Sequence, residues 1–301
     1  MARSWRFESG RVRATARIGY DYLRSWVQPV RQVEPPGGRH AAPPVAIDLG
    51  AGLPTRLPGT LRLLSWNIHR GYDARGVVAS LRAVIADHDP NLLMLQEVPV
   101  YPHGPWWSAP DVRELLGEMH VVFAPMHRVA RPTAYYPFQE SGLLIGVRAL
   151  PRSHHALRLP VASRPKLGRN HRVERIALGI GCWAGGRAPE IWNVHLENTA
   201  RPSGRTHQAT ALAAALGDGP LIVGGDVNTL WGPLEGVAAA FEAAGLERIP
   251  LRYGRWRSPA IDQIFVRGAS CAAGEVLRLR GSDHFPIVAE VEFAAALPGA
   301  G

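Results

Sequence analysis

The chain reads as an α/β protein in which sheets pack on one another and are covered by helices. Three observations carry that reading: short apolar runs bounded by Gly and Pro, helical patterns between some of them, and no repeat at a fixed period. The runs are LRLLSWNI (61–68), LLMLQEV (92–98), SGLLIGV (141–147), RIALGIG (175–181), EIWNVHL (190–196), LIVGGDV (221–227), IDQIFV (261–266) and IVAEVEF (287–293). Each has strand length and strand composition.

Three helices fall between them. In VVASLRAVIADH (77–88), Val77, Val78, Leu81, Val84 and Ile85 recur at helical spacing. RTHQATALAAALG (205–217) and LEGVAAAFEAAG (234–245) are Ala-rich and end in Gly, as helices often do. Upstream, residues 9–27 form a basic helical pattern with Ile18, Tyr22 and Trp26 on one face. That helix is read either as docked on the main domain or as an interfacial contact with a membrane surface. Residues 34–60 are a Pro/Gly-rich connector. The expected organisation is therefore residues 1–60 as helix plus connector, 61–295 as the main domain, and 296–301 as a tail.

The composition excludes some classes. Of the 34 basic residues only Lys166 is Lys, which reads as codon bias in an Ala-, Gly- and Pro-rich chain. Residues 1–60 hold nine Arg against four acids, a net of +5, so only +4 of the chain's +9 belongs to the main domain. Charge alone does not argue for nucleic acid. Two cysteines, Cys182 and Cys271, make no disulfide framework and no CxxC pair. With no signal-peptide pattern at the N-terminus and no apolar run of membrane-spanning length, a cytoplasmic protein is expected. A monomer is the expected state.

The apolar runs turn polar abruptly at their ends. LLSWN ends in Asn67 and LLMLQE in Glu97; WNVHLEN passes through His195 to Asn198. LIVGGDVN supplies Asp226 and Asn228, AID supplies Asp262, and GSDH supplies Asp283 and His284. Singly, each has an ordinary explanation: Asn and Asp cap turns, and a His among apolar neighbours is usually a hydrogen-bonded core residue. Jointly they make an oxygen-rich site without a thiolate. Such a donor set suits a hard cation, Mg²⁺ or Mn²⁺, and the chemistry of phosphate-ester hydrolysis.

Taken in order, SWNIH, LQEV, SGLLIGV, NVHLEN, GGDVN, IDQIFV and GSDHFPI resemble the endonuclease/exonuclease/phosphatase superfamily over about residues 61–294. Its members include deoxyribonuclease I, abasic-site endonucleases, neutral sphingomyelinases, inositol-polyphosphate 5-phosphatases and mRNA deadenylases. The resemblance implies a four-layer α/β sandwich of the deoxyribonuclease I type, two packed mixed sheets flanked by helices. It implies Glu97 as main metal ligand, with Asn67 and Asp283 beside the metal. Asp226 would align or deprotonate the attacking water, held by Asn228. His284 would contact the scissile phosphate, oriented by Asp262, and His195 and Asn198 would bind phosphate or the leaving group.

Two positions depart from the abasic-site enzymes, His69 where they carry Asp and His195 where they carry Tyr. Both point away from abasic-site repair. Arg172 and Arg175 are candidates for substrate phosphate, with a strand-edge surface position as the alternative. Trp106 and Trp107 either stack a base or touch lipid, or else pack beneath their loop, and His69 either joins the site or caps a turn. The expected activity is divalent-metal-dependent phosphodiester hydrolysis, with nucleic acid as substrate. The alternative is a lipid head-group or inositol-phosphate phosphoesterase at a membrane surface, and a third reading is an inactive binding module.

Overall fold

The computed structural model describes residues 44–50, 52–129, 132, 137–162, 171–198, 202–229, 235–253 and 261–293, with backbone alone at 32–33, 48, 162 and 171–173. The helix read at 9–27 and the tail at 296–301 lie outside the described residues, as do 34–43 of the connector.

All eight apolar runs are strands. In chain order the long strands are β1 (Thr60–Asn67), β2 (Leu92–Tyr101), β3 (His120–Val129), β4 (Glu140–Val147) and β5 (Ser153–Leu159). β6 (Arg175–Gly181), β7 (Glu190–His195), β8 (Leu221–Asp226), β9 (Asp262–Arg267) and β10 (Ile287–Glu292) follow. Two of these are not legible as runs. β3 is broken by Pro125, which sits where its register against β4 shifts, and bulges are where strands admit Pro. β5 is the outer strand of its sheet and carries Ser153, His154, His155 and Arg158 among its seven residues, so no apolar run forms.

The helices are α1 (Ala74–His88), α2 (Pro110–Leu115), α3 (Pro202–Ala213) and α4 (Val237–Glu242). α1 begins where Asp73 accepts the Gly76 N–H at 3.0 Å, an ordinary N-cap.

The strands form two sheets. One is ten-stranded and runs β3–β4–β2–β1–β10 through its centre, with short strands at its margins. The other is six-stranded and runs β9–β8–β7–β6–β5, with Glu247–Arg248 on β9. Each contains one parallel pair of long strands, β1 with β2 and β7 with β8, joined through α1 and α3. The rest of the long-strand pairs are antiparallel, so both sheets are mixed. One margin strand, Val45–Asp48, comes from the stretch read as connector and pairs with His120–Phe123 of β3. Its Val-Ala-Ile sequence satisfies an open strand edge despite the prolines before it.

Strand periodicity explains the layers. Leu61, Leu63, Met94 and Ile145 point inward to meet Ile176, Leu178, Ile222 and Ile264 of the second sheet. The alternate positions Leu64, Trp66, Leu93 and Leu144 point outward to Val77, Leu81 and Val84 of α1. On the far side Trp192, Val194 and Val223 meet Leu212 of α3 and Phe241 of α4. The order helix, sheet, sheet, helix is the expected four-layer sandwich. Trp106 and Trp107 are buried in the outer core, Trp107 stacked obliquely on Phe123 at 4.6 Å, so packing is their role.

Gly142 faces two bulges at once. It is the register partner of Val98 on one side and of Pro125 on the other, and a Cβ there would run into the backbone of Ala124 and Pro125. Gly142→Ala is expected to destabilise the fold by about 1–3 kcal/mol. Urea unfolding with an unchanged m-value and a lowered midpoint is the measurement; an unchanged midpoint counts against this packing account.

Candidate active site

Topology brings the polar strand ends to one rim. Asn67 ends β1 and His195 and Asp226 end the parallel pair β7 and β8, while Glu97 lies within β2. Asp262 begins β9, antiparallel to β8, and His284 lies just before β10, antiparallel to β1. A strand that runs the other way starts where its neighbours stop. The last pair of β8 with β9 therefore sets Asp226 opposite Asp262, and the last pair of β7 with β8 sets His195 opposite Asp226.

Glu97 reaches the rim through a bulge. Between the pairs Leu95–Leu144 and Val98–Gly142, β2 has two residues where β4 has one, and Glu97 there has φ 56°. The gap is filled from the opposite sheet. The Asn193 amide donates to the carbonyls of Leu95 and Leu144, each at 2.9 Å, and accepts from Gln96 Nε2 at 2.8 Å. These buried carbonyls would otherwise lack partners at the break in the ladder.

At the centre stands Asp226. Its Oδ2 accepts from Asn67 Nδ2 at 2.9 Å and lies 3.5 Å from His195 Nε2 and 3.6 Å from His284 Nε2. Its Oδ1 accepts the Asn228 N–H at 2.9 Å, and Asn228 is fixed by its amide donating to the Leu196 carbonyl at 3.0 Å. Burial first, and then the negative charge of Asp262, push the Asp226 carboxyl up to about 7, against the pull of His284 and Asn67.

His284 is held as a cation. Its Nδ1 is 2.8 Å from Asp262 Oδ2, and its backbone carbonyl accepts from Trp66 Nε1 at 3.0 Å. Burial works against its charge, but the hydrogen bond and charge of Asp262, joined by Asp226 and Asp283, outweigh it and push the imidazole up to about 10. The segment before it is anchored on both sides: Ser80 of α1 donates to the Arg280 carbonyl at 2.6 Å, and Ser282 Oγ donates to the Asn67 carbonyl at 2.6 Å. His195 is the opposite case. Burial, then the positive charges of Arg175, His284 and Arg70, hold it well below its ordinary range, so this imidazole is neutral.

The remaining sequence candidates are placed less centrally. Asp283 is 58% exposed and turns to His69, whose Nδ1 is 3.4 Å from its Oδ1; His69 thus joins the rim. Asn198 is exposed beyond the end of β7. Arg175 is not on a strand edge. It is buried on the inner strand β6, and its Nη1 donates to the His195 carbonyl at 3.3 Å, so it holds that backbone in place. The side chain of Arg172 lies outside the described residues.

Two features are not legible in the sequence. Arg70 Nε sits 2.8 Å from Glu97 Oε2, inside the site, and the many Arg of this chain conceal it. Asn193, the lone amide within an otherwise apolar run, is the available signal for the polar contact between sheets.

The donor chemistry fits a cation. Asp226, Asp262 and His284 offer one ligand atom each within 4.8 Å of one another, and Asp262 Oδ1 is buried without a hydrogen-bond partner among the described residues. Carboxylates paired this closely favour a divalent ion.

The model of the endonuclease/exonuclease/phosphatase family matches residues 64–284. The chain belongs to that family. It is a metal-dependent phosphoesterase whose substrate is a phosphoester. Among solved structures it is similar to an endonuclease/exonuclease/phosphatase from Beutenbergia cavernae (22% identity, covering 78% of this chain and 72% of that one, TM-score 0.61). It is also similar to the human Nocturnin catalytic domain with bound sulfate (19%, 83% and 98%, 0.58). A third is the mannosyl-6-phosphatase Bt3783 of Bacteroides thetaiotaomicron (18%, 77% and 100%, 0.54). At these identities the likeness concerns the fold. No curated protein matches the chain.

A raised His284 value means that the stability its charge contributes is fully present below 6.5 and is lost as pH rises through about 10. In the metal-free protein, Asp262→Asn is expected to bring the imidazole midpoint down toward 6.5 and to narrow that window. NMR titration of the His284 ring protons reads this directly, and an unmoved midpoint would show that Asp262 is not the cause.

Proposed function

We propose that this enzyme is a divalent-metal-dependent phosphodiester hydrolase acting on nucleic acid, with Mg²⁺ or Mn²⁺ as its ion. The observation that carries the hydrolytic reading is the pairing of a charged imidazole with a buried carboxyl of near-neutral pKa, His284 and Asp226, 3.6 Å apart. An acid that titrates near 7 is suited to taking a proton from water at working pH, and an imidazolium beside it is suited to holding the phosphoryl oxygens. Asp262 keeps His284 protonated and aimed. Asn228 and Asn67 orient the two oxygens of Asp226, and neutral His195 offers a hydrogen bond toward the phosphate or leaving oxygen. Asn198, exposed past β7, is read as a more distant substrate contact.

Glu97, Asn67 and Asp283 would hold the ion. Asp226, Asp262 and His284 form a second donor group on the same rim, where an ion would have to displace the His284 proton. When bound, the ion would neutralise the phosphoryl oxygens and so lower the cost of water attack.

The nucleic-acid reading is supported by two exposed aromatics on the segments that form the rim. Tyr72 (43% exposed) has its ring neighbour His69 at 4.8 Å, and Phe285 (42%) follows His284. Rings so placed suit the stacking of bases.

Three outcomes are expected. His284→Ala lowers kcat by at least about 10²–10³-fold while circular dichroism is unchanged; near-native turnover would sink the role of His284. Glu97→Gln weakens divalent-ion binding, measured by calorimetry, by more than the about 10–100-fold typical of losing an outer-shell partner. Equal affinity would remove Glu97 from the ligand set. A panel of bis-p-nitrophenyl phosphate, DNA, RNA, sphingomyelin and inositol phosphates with each ion is expected to favour a nucleic acid, with a rate that falls steeply with salt. Preference for a lipid or inositol phosphate would overturn the substrate class.

A further inference from the structure

We infer that Arg70 is a substrate-phosphate ligand of this site, an inference that rests on the phosphoester reading above. Its position comes first. Arg70 Nε lies 2.8 Å from Glu97 Oε2, and its charge is also one of those that depress His195, so the guanidinium acts on site residues of both sheets. The side chain is 22% exposed, within reach of an incoming anion. Its guanidinium carbon is 5.9 Å from the centre of the Phe138 ring, a contact that steadies a planar fork.

The backbone beneath it is held in a costly conformation. His69, Arg70 and Gly71 have φ of 47°, 56° and 63°, three left-handed residues in succession, two of them not glycine. Each non-glycine in that region costs on the order of 1–2 kcal/mol. The turn persists because its surroundings over-determine it. Asn67 Oδ1 accepts the His69 N–H at 2.9 Å, Ile68 O accepts the Gly71 N–H at 3.0 Å, and Tyr101 OH donates to the Arg70 carbonyl at 3.4 Å. Strain held in place at a site rim is a mark of function. This turn presents the Arg70 guanidinium to Glu97 and the His69 ring to Asp283.

Charge completes the case. An isolated Glu97–Arg70 pair is neutral and does nothing for an anionic substrate. Once Glu97 also serves a divalent ion, the guanidinium becomes net positive charge next to the phosphoryl position, where a planar five-donor fork binds two oxygens at once.

The test compares wild type with Arg70→Ala and Arg70→Lys. Inorganic phosphate binding is measured by calorimetry with Mg²⁺ present, alongside KM and kcat on bis-p-nitrophenyl phosphate. Arg70→Ala is expected to weaken phosphate binding and raise KM by about 10–100-fold with kcat changed far less, and Arg70→Lys to recover part of the loss. If Arg70→Ala does not fold, judged by thermal unfolding, Arg70→Lys carries the test, because it keeps the charge and loses only the fork. Unchanged phosphate affinity and KM overturn the inference. So does tighter Mg²⁺ binding with unchanged phosphate affinity, which would make Arg70 a counter-ion of Glu97 only. Loss of phosphate binding in Arg70→Ala beside a wild type that hydrolyses none of the panel would support Arg70 while refuting the activity.

Discussion

The carboxylate of Asp226 is buried at the end of the seam where the two sheets meet, and a set of donors compensates there for its charge while Asp262 opposes it. Asn67 reaches it from one sheet, Asn228 and His195 from the other, and His284 from the loop that leads into β10. A charge taken out of water is tolerated only with such partners. The site is thus also a tie between the sheets: burial and the charge of Asp262 raise the Asp226 carboxyl to about 7 against the pull of His284 and Asn67, while Asp262 and Asp226 raise the His284 imidazole to about 10. Structure and acid–base tuning are one arrangement.

A second polar group lies further back along the strands. Gln96 and Asn193 meet across the sheet interface, and Asn193 occupies the carbonyls that the β2 bulge leaves open. That bulge is what turns Glu97 toward the rim. On the other side the fully buried pair Arg205 and Glu235 joins α3 to the segment before α4, and Arg205 Nη1 donates to the Glu197 carbonyl at 3.3 Å. Gln208 accepts the Glu197 N–H at 2.8 Å. The residues that follow His195 are therefore clamped from α3, which keeps the imidazole at its register opposite Asp226. Replacing a buried ion pair with apolar residues is often neutral, whereas removing one partner leaves an uncompensated charge.

Much of this is legible without the fold. The apolar runs mark eight strands because their length, bounding glycines and abrupt polar ends are properties of the chain itself. β3 and β5 are not legible, one because Pro125 interrupts it at a bulge and the other because an edge strand needs no apolar run. Asp226, Asp262, His284, His195, Asn67 and Asn228 form one group by their places at strand ends, and they do meet. Arg175 has a surface position as its ordinary reading and lies inside, since an Arg in a chain with 33 of them carries little positional signal. Arg70 is hidden for the same reason.

Residue type and order alone determined the layered α/β class and the hard-donor chemistry, because apolar periodicity and donor identity are local properties. Which residues touch was decided only by the tertiary structure. Antiparallel and parallel neighbours share a rim, so Asp262 and His284, 22 positions apart, come within 2.8 Å. The separation of Asp283 from His284 was decided there too: adjacent in sequence, one faces solvent and His69 while the other faces Asp262. So were the two imidazole states, charged at His284 and neutral at His195, which depend on burial and neighbouring charge and on nothing a single position in the chain records.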